Sequence, residues 1–269
     1  MILIRNLLVA CVVLTAVACT PAPSTDGHAP DKDLGILWVK YAAEYDAISR
    51  QVYGAAERAL PGYANDTSWS AMPEQTNAEA LPPAVVLDVD ETVVSNVNFQ
   101  LSFERPFDNW KLDEWSAAGT SIPVTGVIEF AAAARRAGVE LFFVTNRPCQ
   151  HIEGNVNPCP QEQTTIDDIR ELGIETDADH VMLSDEQPGW TKEKIVRREF
   201  IARTHRVIML IGDDLGDFVS CVRGKATAPC IEAATNASRE ASVETYRYYW
   251  GAGWYILPNP MHGSWTSTY

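Results

Sequence analysis

Three carboxylates, Asp88, Asp90 and Glu91, stand within four positions at the end of an apolar run, in the segment AVVLDVDETVVSN at 84–96. Charges this close repel one another and resist burial, so the segment is either a solvated loop or the seat of something positive. Chemically versatile residues recur at three other places: Thr145-Asn146-Arg147 in FFVTNR, Lys192 and Lys194 in TKEKIVRRE, and Asp213, Asp214 and Asp217 in IGDDLGDF. Brought together, carboxylates from two such segments make a hard oxygen site suited to Mg²⁺, one ion per site, which keeps waters and also accepts a phosphate oxygen. Around a divalent cation, clustered carboxylates become favourable. An unprotonated Asp88 beside that cation could attack phosphorus. Asp90, two residues on and on the same side of an extended chain, could protonate a leaving alcohol and then activate water. Thr145 and Lys194 would hold the remaining phosphate oxygens and offset developing charge. Glu91 has no task in this scheme; helix capping or solvent exposure suffices for it.

Singly, each residue has a plain structural role, as a helix cap, a turn residue or a solvated helix charge. What unites them is the pattern of the elements that carry them. Apolar runs at 84–90, 139–147, 180–185 and 206–214 read as buried strands. Between them, 126–137 (closed by Gly138), 164–172 (stopped by Gly173) and the basic stretch 192–202 read as helices. Strands alternating with helices at this spacing predict an α/β fold with a doubly wound parallel sheet. In such sheets, sites form beyond the carboxyl ends of the strands, where all four segments fall. Residues 34–60 carry a helical stripe through Trp38, Tyr41, Tyr45, Ile48 and Val52. With the Trp- and Asp-rich stretch 97–120, they are assigned to a small, mainly helical lobe on the domain 34–269.

A 269-residue chain that is 46% hydrophobic can bury a substantial core, and no repeat of 20–50 residues is apparent. Its net charge of −15 argues against a nucleic-acid polymer or an anionic membrane surface as the main partner. A phosphate-bearing small molecule would then need locally arranged cations or a metal. Residues 1–18 have the charge and hydropathy of a secretory signal, and Ala18 directly before Cys19 fits a lipoprotein processing site. Cys19 is therefore a candidate for lipidation, which would make the membrane a partner through an N-terminal anchor. Ala16 at the position where such sites favour Leu leaves plain cleavage after Ala18 as the alternative. The apolar run is short for a retained span. Residues 19–33, rich in Pro, Ser and Asp, read as a flexible tether. Export agrees with the remaining cysteines, whose spacings favour Cys149–Cys159 and Cys221–Cys230 as local disulfides. A zinc site is the rival, but the chain lacks a C-x₂-C pair or matching histidines.

The four motifs DVDET, FFVTNR, KIVRRE and IGDDLGDF together resemble those of the haloacid-dehalogenase superfamily of phosphatases. More narrowly, AEYDAISRQVY, EW at 114–115, GWTKEKIVRREF and LPNPMHGSW resemble the bacterial class C acid phosphatases, the lipoprotein e(P4) or 5′-nucleotidase family. The resemblance runs from about Leu34 onward. It implies a Mg²⁺-dependent acid phosphatase acting on phosphomonoesters, often nucleoside monophosphates, through an aspartyl-phosphate. It implies Asp88 as nucleophile and metal ligand, Asp90 as acid/base with its main-chain carbonyl on the metal, and Asp213 as the third protein ligand. Asp217 would support the metal's waters or the lysine, Thr145 and neighbouring Asn146 would face the phosphate, and Lys194 rather than Lys192 would be the catalytic lysine. Trp115 and His262 match aromatic positions that stack on a nucleobase, although relatives usually carry Tyr at the second. Ile195 also stands where a small polar residue is common. The resemblance further implies a bacterial envelope enzyme, periplasmic or an outer-membrane lipoprotein, and commonly a homodimer. A phosphotransferase sharing the intermediate, or a non-catalytic surface-binding lipoprotein on the same fold, are the alternatives.

Overall fold

The structure, a computed structural model, describes residues 31–102 and 109–268. The expected signal, Cys19 and most of the tether lie outside the described residues, as does 103–108 in the expected lobe.

The sheet is built from β1 (Pro83–Leu87), β4 (Glu140–Pro148), β5 (Val181–Ser184), β6 (Arg206–Gly212) and β7 (Trp254–Ile256), in the order β5-β4-β1-β6-β7, every pair parallel. The chain steps outward from β1 through β4 to β5, then returns to the other side of β1 for β6 and β7. That reversal places a topological switch point between β1 and β6. A separate antiparallel pair joins β2 (Val94–Ser95) to β3 (Ile122–Pro123).

Side chains alternate across β1, so Val85 and Leu87 enter one apolar layer while Ala84 and Val86 enter the other. The first layer is covered by α2 (Ala43–Asn65) through Tyr53, Ala56 and Leu60, by α5 (Val127–Arg136) through Val127, Phe130 and Ala134, and by α6 (Pro160–Glu171) through Ile166 and Ile169. The opposite layer receives Ile201 of α7 (Ile195–Ala202) together with Trp190, Phe218 and Trp254. Burial on both faces explains why these strands read as continuous apolar runs rather than alternating ones.

Differences from the sequence reading have local causes. The first long helix is two: α1 (Asp31–Tyr41) takes in the last residues of the expected tether, and α2 begins after a break at Ala42, whose φ −81° and ψ 122° are extended. Because α2 buries its stripe in the main core, it belongs with the sheet. The cluster of Ile36, Val39, Tyr45, Val97 and Met261 instead joins α1 and the start of α2 to α3 (Val97–Ser102) and to the C-terminal segment. The stretch 97–120 also supplies α4 (Asn109–Ala117), which packs near α6. β7 and α8 (Asn236–Thr245) went unread, β7 being three residues long without periodicity and α8 burying none of its residues. The Cys149–Cys159 and Cys221–Cys230 disulfides are both formed.

Candidate active site

The ends of β1, β4 and β6, the start of α7 and the segment 261–266 surround a cavity of about 860 Å³. Among its lining residues are Asp88, Asp90, Asn146, Lys194, Asp213, Asp217 and His262.

Asp88 follows the last residue of β1, and its carboxylate accepts a hydrogen bond from Lys194 Nζ, which also donates to Asp217 Oδ1 at 2.6 Å. Lys194 is only 3% exposed and sits as the residue before α7, so the expected helix start at 192 is shortened by one turn. Burial alone would lower the lysine's pKa, but Asp217 and Asp88 outweigh it and raise it. Lys192, the other candidate, is exposed on the cavity rim.

Asp213 extends from the end of β6, where its Oδ1 accepts from Thr92 Oγ1 at 3.3 Å and its Oδ2 from Asn259 Nδ2 at 2.7 Å. Asp217 reaches back over the turn Leu215–Asp217, its Oδ2 accepting the main-chain N–H of Asp213 at 3.1 Å and of Asp214 at 2.9 Å. That turn requires glycine at 212, since a Cβ there would lie 2.3 Å from Asp217 Oδ2. Ligand oxygens of Asp88, Asp213 and Asp217 all fall within 4.8 Å of one another. Burial, compounded by the charges of Asp88, Asp217 and Asp214, pushes the Asp213 carboxyl far above the usual range. Burial also lifts Asp217 to about 6 against the opposing pull of Lys194. Three hard oxygen donors, two buried and Asp213 half-buried, in a mutually repelling group fit a divalent cation.

Asp90 points elsewhere. Its Oδ1 and Oδ2 each accept from Arg147 Nε at 3.1 Å, and Oδ1 also accepts from Arg147 Nη2 at 2.8 Å and from Asn96 Nδ2 at 2.8 Å. Thr145 Oγ1 donates to Asp90 Oδ2 at 3.3 Å. Burial works to raise the Asp90 pKa, but the Arg147 charge and these hydrogen bonds prevail and hold it below the ordinary carboxylate value. β1 ends at Leu87 and the chain turns through Glu91 at φ 61°, so the alternation that predicted a common direction for Asp88 and Asp90 no longer applies. Both still line the one cavity.

Glu91 is the clearest departure from the sequence reading. It is 1% exposed, its Oε1 accepts the N–H of Asn96 at 2.8 Å, and its Oε2 pairs with His262 Nε2 at 2.8 Å. Burial disfavours charge on His262, but Glu91 outweighs it and raises the imidazole pKa. His262 thus meets the cavity with its ring anchored by an ion pair. Trp115 lies outside the lining, half-buried and with its ring 5.8 Å from that of Phe99. Ile36, Gln100, Leu112 and Met261 also line the cavity.

Sequence reasoning also missed the residues that hold these loops. Arg197 donates to the main-chain oxygen of Thr145, and at 3.0 Å to Asn146 Oδ1. Arg198 donates to the main-chain oxygens of Asp217 at 2.6 Å and Phe218 at 3.1 Å. Burial draws both arginines down to about 10. The available signal was two adjacent arginines shortly after a catalytic-type lysine in a strongly acidic chain. Asn259 lies in the LPNPMHGSW motif, but its tie to Asp213, 46 residues away, left no local signal.

Compared with known proteins, residues 32–265 match the family model of the HAD superfamily, subfamily IIIB (acid phosphatase). The fold is similar to the class C acid phosphatase from Bacillus anthracis, with a TM-score of 0.67 at 26% identity, covering 87% of this chain and 86% of that one. The same relation holds to that enzyme's crystal structure with tungstate bound, again at TM-score 0.67 and 26% identity over 87% and 86% of the two chains. The chain belongs to this acid phosphatase subfamily and is a phosphomonoester hydrolase.

Proposed function

We propose that this member of the HAD subfamily IIIB acid phosphatases cleaves small phosphomonoesters in two steps through an aspartyl-phosphate on Asp88. One observation carries the reading: two cavity carboxylates, two residues apart, have opposite partners, Asp88 on a buried lysine within an acidic cluster and Asp90 clamped by Arg147. HAD phosphatases use a divalent metal, and Asp88 and Asp213 are the side chains that would hold one, with Mg²⁺ the favoured ion, the Asp90 carbonyl a further donor, and Asp217 close beside them supporting the ion's waters or Lys194. When bound, the ion would neutralise these carboxylates and draw charge from a phosphate oxygen.

The protein's own groups account for the rest. Lys194 would orient the Asp88 carboxylate and, with Asn146 on the cavity wall, bind phosphate oxygens; Thr145, fully buried with its hydroxyl on Asp90, would have to turn from that partner to join them. An Asp88 oxygen bonds to phosphorus as the ester P–O bond breaks, and the departing alkoxide takes the proton of Asp90. Arg147 holds the free Asp90 as a carboxylate, so the proton it donates would be taken up as the negatively charged ester binds, and the same guanidinium stabilises the carboxylate left behind. Asp90 then takes a proton from water as the water oxygen bonds to phosphorus, and the bond to Asp88 breaks to release phosphate.

The Asp88→Asn variant tests the nucleophile. Incubation with phosphorylated substrate should leave a covalent phosphoryl group on the native protein and none on the variant. Turnover of p-nitrophenyl phosphate surviving in Asp88→Asn would sink the assignment. Nucleoside monophosphates are the favoured substrate class, with Ile36, Leu112, Met261 and the His262 ring forming a wall for the organic part of the ester. Relative kcat/KM across 5′- and 3′-nucleotides, nicotinamide mononucleotide and sugar phosphates checks this, and a flat profile would overturn it. Two disulfides fit an exported protein. Residues 1–18 as signal, 19–30 as tether and Cys19 as lipid anchor complete the proposal; failure of a Cys19→Ala variant to leave the membrane fraction would count against the anchor.

A further inference from the structure

We infer that Asp168 is a positioning residue for proton transfer, acting on Asp90 through Arg147; the inference rests on the reading of Asp90 as the acid/base group. Asp168 lies on α6, is 2% exposed and is absent from the cavity lining, so it is not placed to touch substrate. Its Oδ2 accepts from Arg147 Nη1 at 2.6 Å, while the Nε and Nη2 edge of the same guanidinium holds Asp90. One planar cation thus spans two carboxylates, and the orientation of one fixes the plane of the other.

A buried carboxylate and a partly exposed one share a single buried arginine and leave an excess negative charge, an arrangement costly to hold without a compensating role. Burial would weaken the Arg147 charge, but Asp90 and Asp168 more than reverse that effect. Arg147 has a long side chain with several rotamers, and a phosphate dianion in the cavity would compete with Asp90 for it. Asp168 removes that freedom by anchoring the far Nη1, and Thr165 Oγ1, one helical turn earlier, lies 3.4 Å from the same nitrogen. The anchor is itself held. α6 begins directly after Cys159, which is bonded to Cys149 just past β4, and Gln161 Oε1 accepts the Gln150 N–H at 3.0 Å. The other Asp168 oxygen accepts from Ser121 Oγ at 3.2 Å.

The test is leaving-group dependence. A 2,4-dinitrophenolate departs without a proton, whereas an alkoxide needs one, so the ratio of kcat/KM for 2,4-dinitrophenyl phosphate to that for an alkyl phosphate reports proton donation. Both substrates are assayed on one preparation, and the ratio is independent of the fraction folded. In Asp168→Asn the alkyl ester should lose on the order of 10- to 100-fold and the dinitrophenyl ester far less. Asp168→Glu, which keeps the charge, should recover part of the difference. Asp90→Asn should show the same selective loss, and adding Asp168→Asn to it should not increase the selectivity. Equal losses on both esters in Asp168→Asn, with Asp90→Asn still selective, would overturn the positioning role. An unselective Asp90→Asn would instead overturn the acid/base reading itself.

Discussion

At the amino-terminal end of the sheet, the buried Arg206 guanidinium donates to four main-chain oxygens, those of Tyr63, Ala64, Asp66 and Trp69, at 2.8–3.2 Å. Beside it Glu140, the first residue of β4, meets His180 and His205, each at 3.2 Å. At the carboxyl end, Asp213 has hydrogen bonds from Thr92 and Asn259 but no Lys or Arg in ion-pair range among the described residues. Both ends bury charge. At one end the protein itself supplies the counterpart; at the other Lys194 and Arg147 supply it for Asp88, Asp217 and Asp90 while Asp213 is left over, which is the signature of a site rather than of a scaffold.

Substitutions at the two ends should therefore fail in different ways. The largest effect is expected at Asp88, where Asn should cut kcat on p-nitrophenyl phosphate by on the order of 10⁴ or more while leaving the thermal midpoint little changed. A fall in stability as large as the fall in activity would erase the distinction between the ends. Arg206→Ala should do the reverse. It strands several carbonyls and should cost about 2 to 4 kcal/mol in denaturant unfolding, with kcat/KM per folded molecule unchanged.

A smaller effect concerns pH in chelated protein. Asp217 binds its proton more tightly folded, at about 6, than unfolded, near the ordinary 3.8. The folded state thus holds more protons between these values, and this group's contribution to stability falls as pH rises through that window. The chelated protein should melt a few degrees higher near pH 4.5 than near pH 7, by a margin reduced in Asp217→Asn and by added Mg²⁺. No change in that margin in the variant would locate the repulsion elsewhere.

The smallest effect belongs to His180. Burial lowers its pKa, but hydrogen bonds to Asp177 and Glu140 raise it overall, so its stabilisation is present below about pH 6.5 and lost as pH rises through the higher folded value. His180→Gln should cost about 0.5 kcal/mol at pH 5.5 and nothing at pH 9. An equal cost at both would mean that packing of the ring on Phe142, with centroids 4.8 Å apart, matters more than its charge.

The contrast between the ends was half legible in the sequence. Strands buried on both faces leave long apolar runs, and a site at strand ends leaves its polar residues directly after them, so Asp88, Asp90, Thr145 and Asp213 were found together. Lys194 stood out because it precedes the last of these strands. Asp168 could not be found this way. It lies mid-helix among other polar residues, and its partner Arg147 is 21 positions away on another element. Glu91 was misread for a related reason: its burial depends on His262, and nothing local announces a partner supplied by the C-terminal segment. The spacing also missed the turn after Leu87, where a left-handed residue that is not glycine redirects the chain.

Arg197 and Arg198 grip the strand-end loops largely by main-chain oxygens, which every residue type possesses. The side chains of Thr145 and Asp217 are therefore left for the site while their backbone is held from α7. A single helix thus fixes the backbone at two strand ends, so a disturbance of α7 would be felt on both sides of the cavity at once.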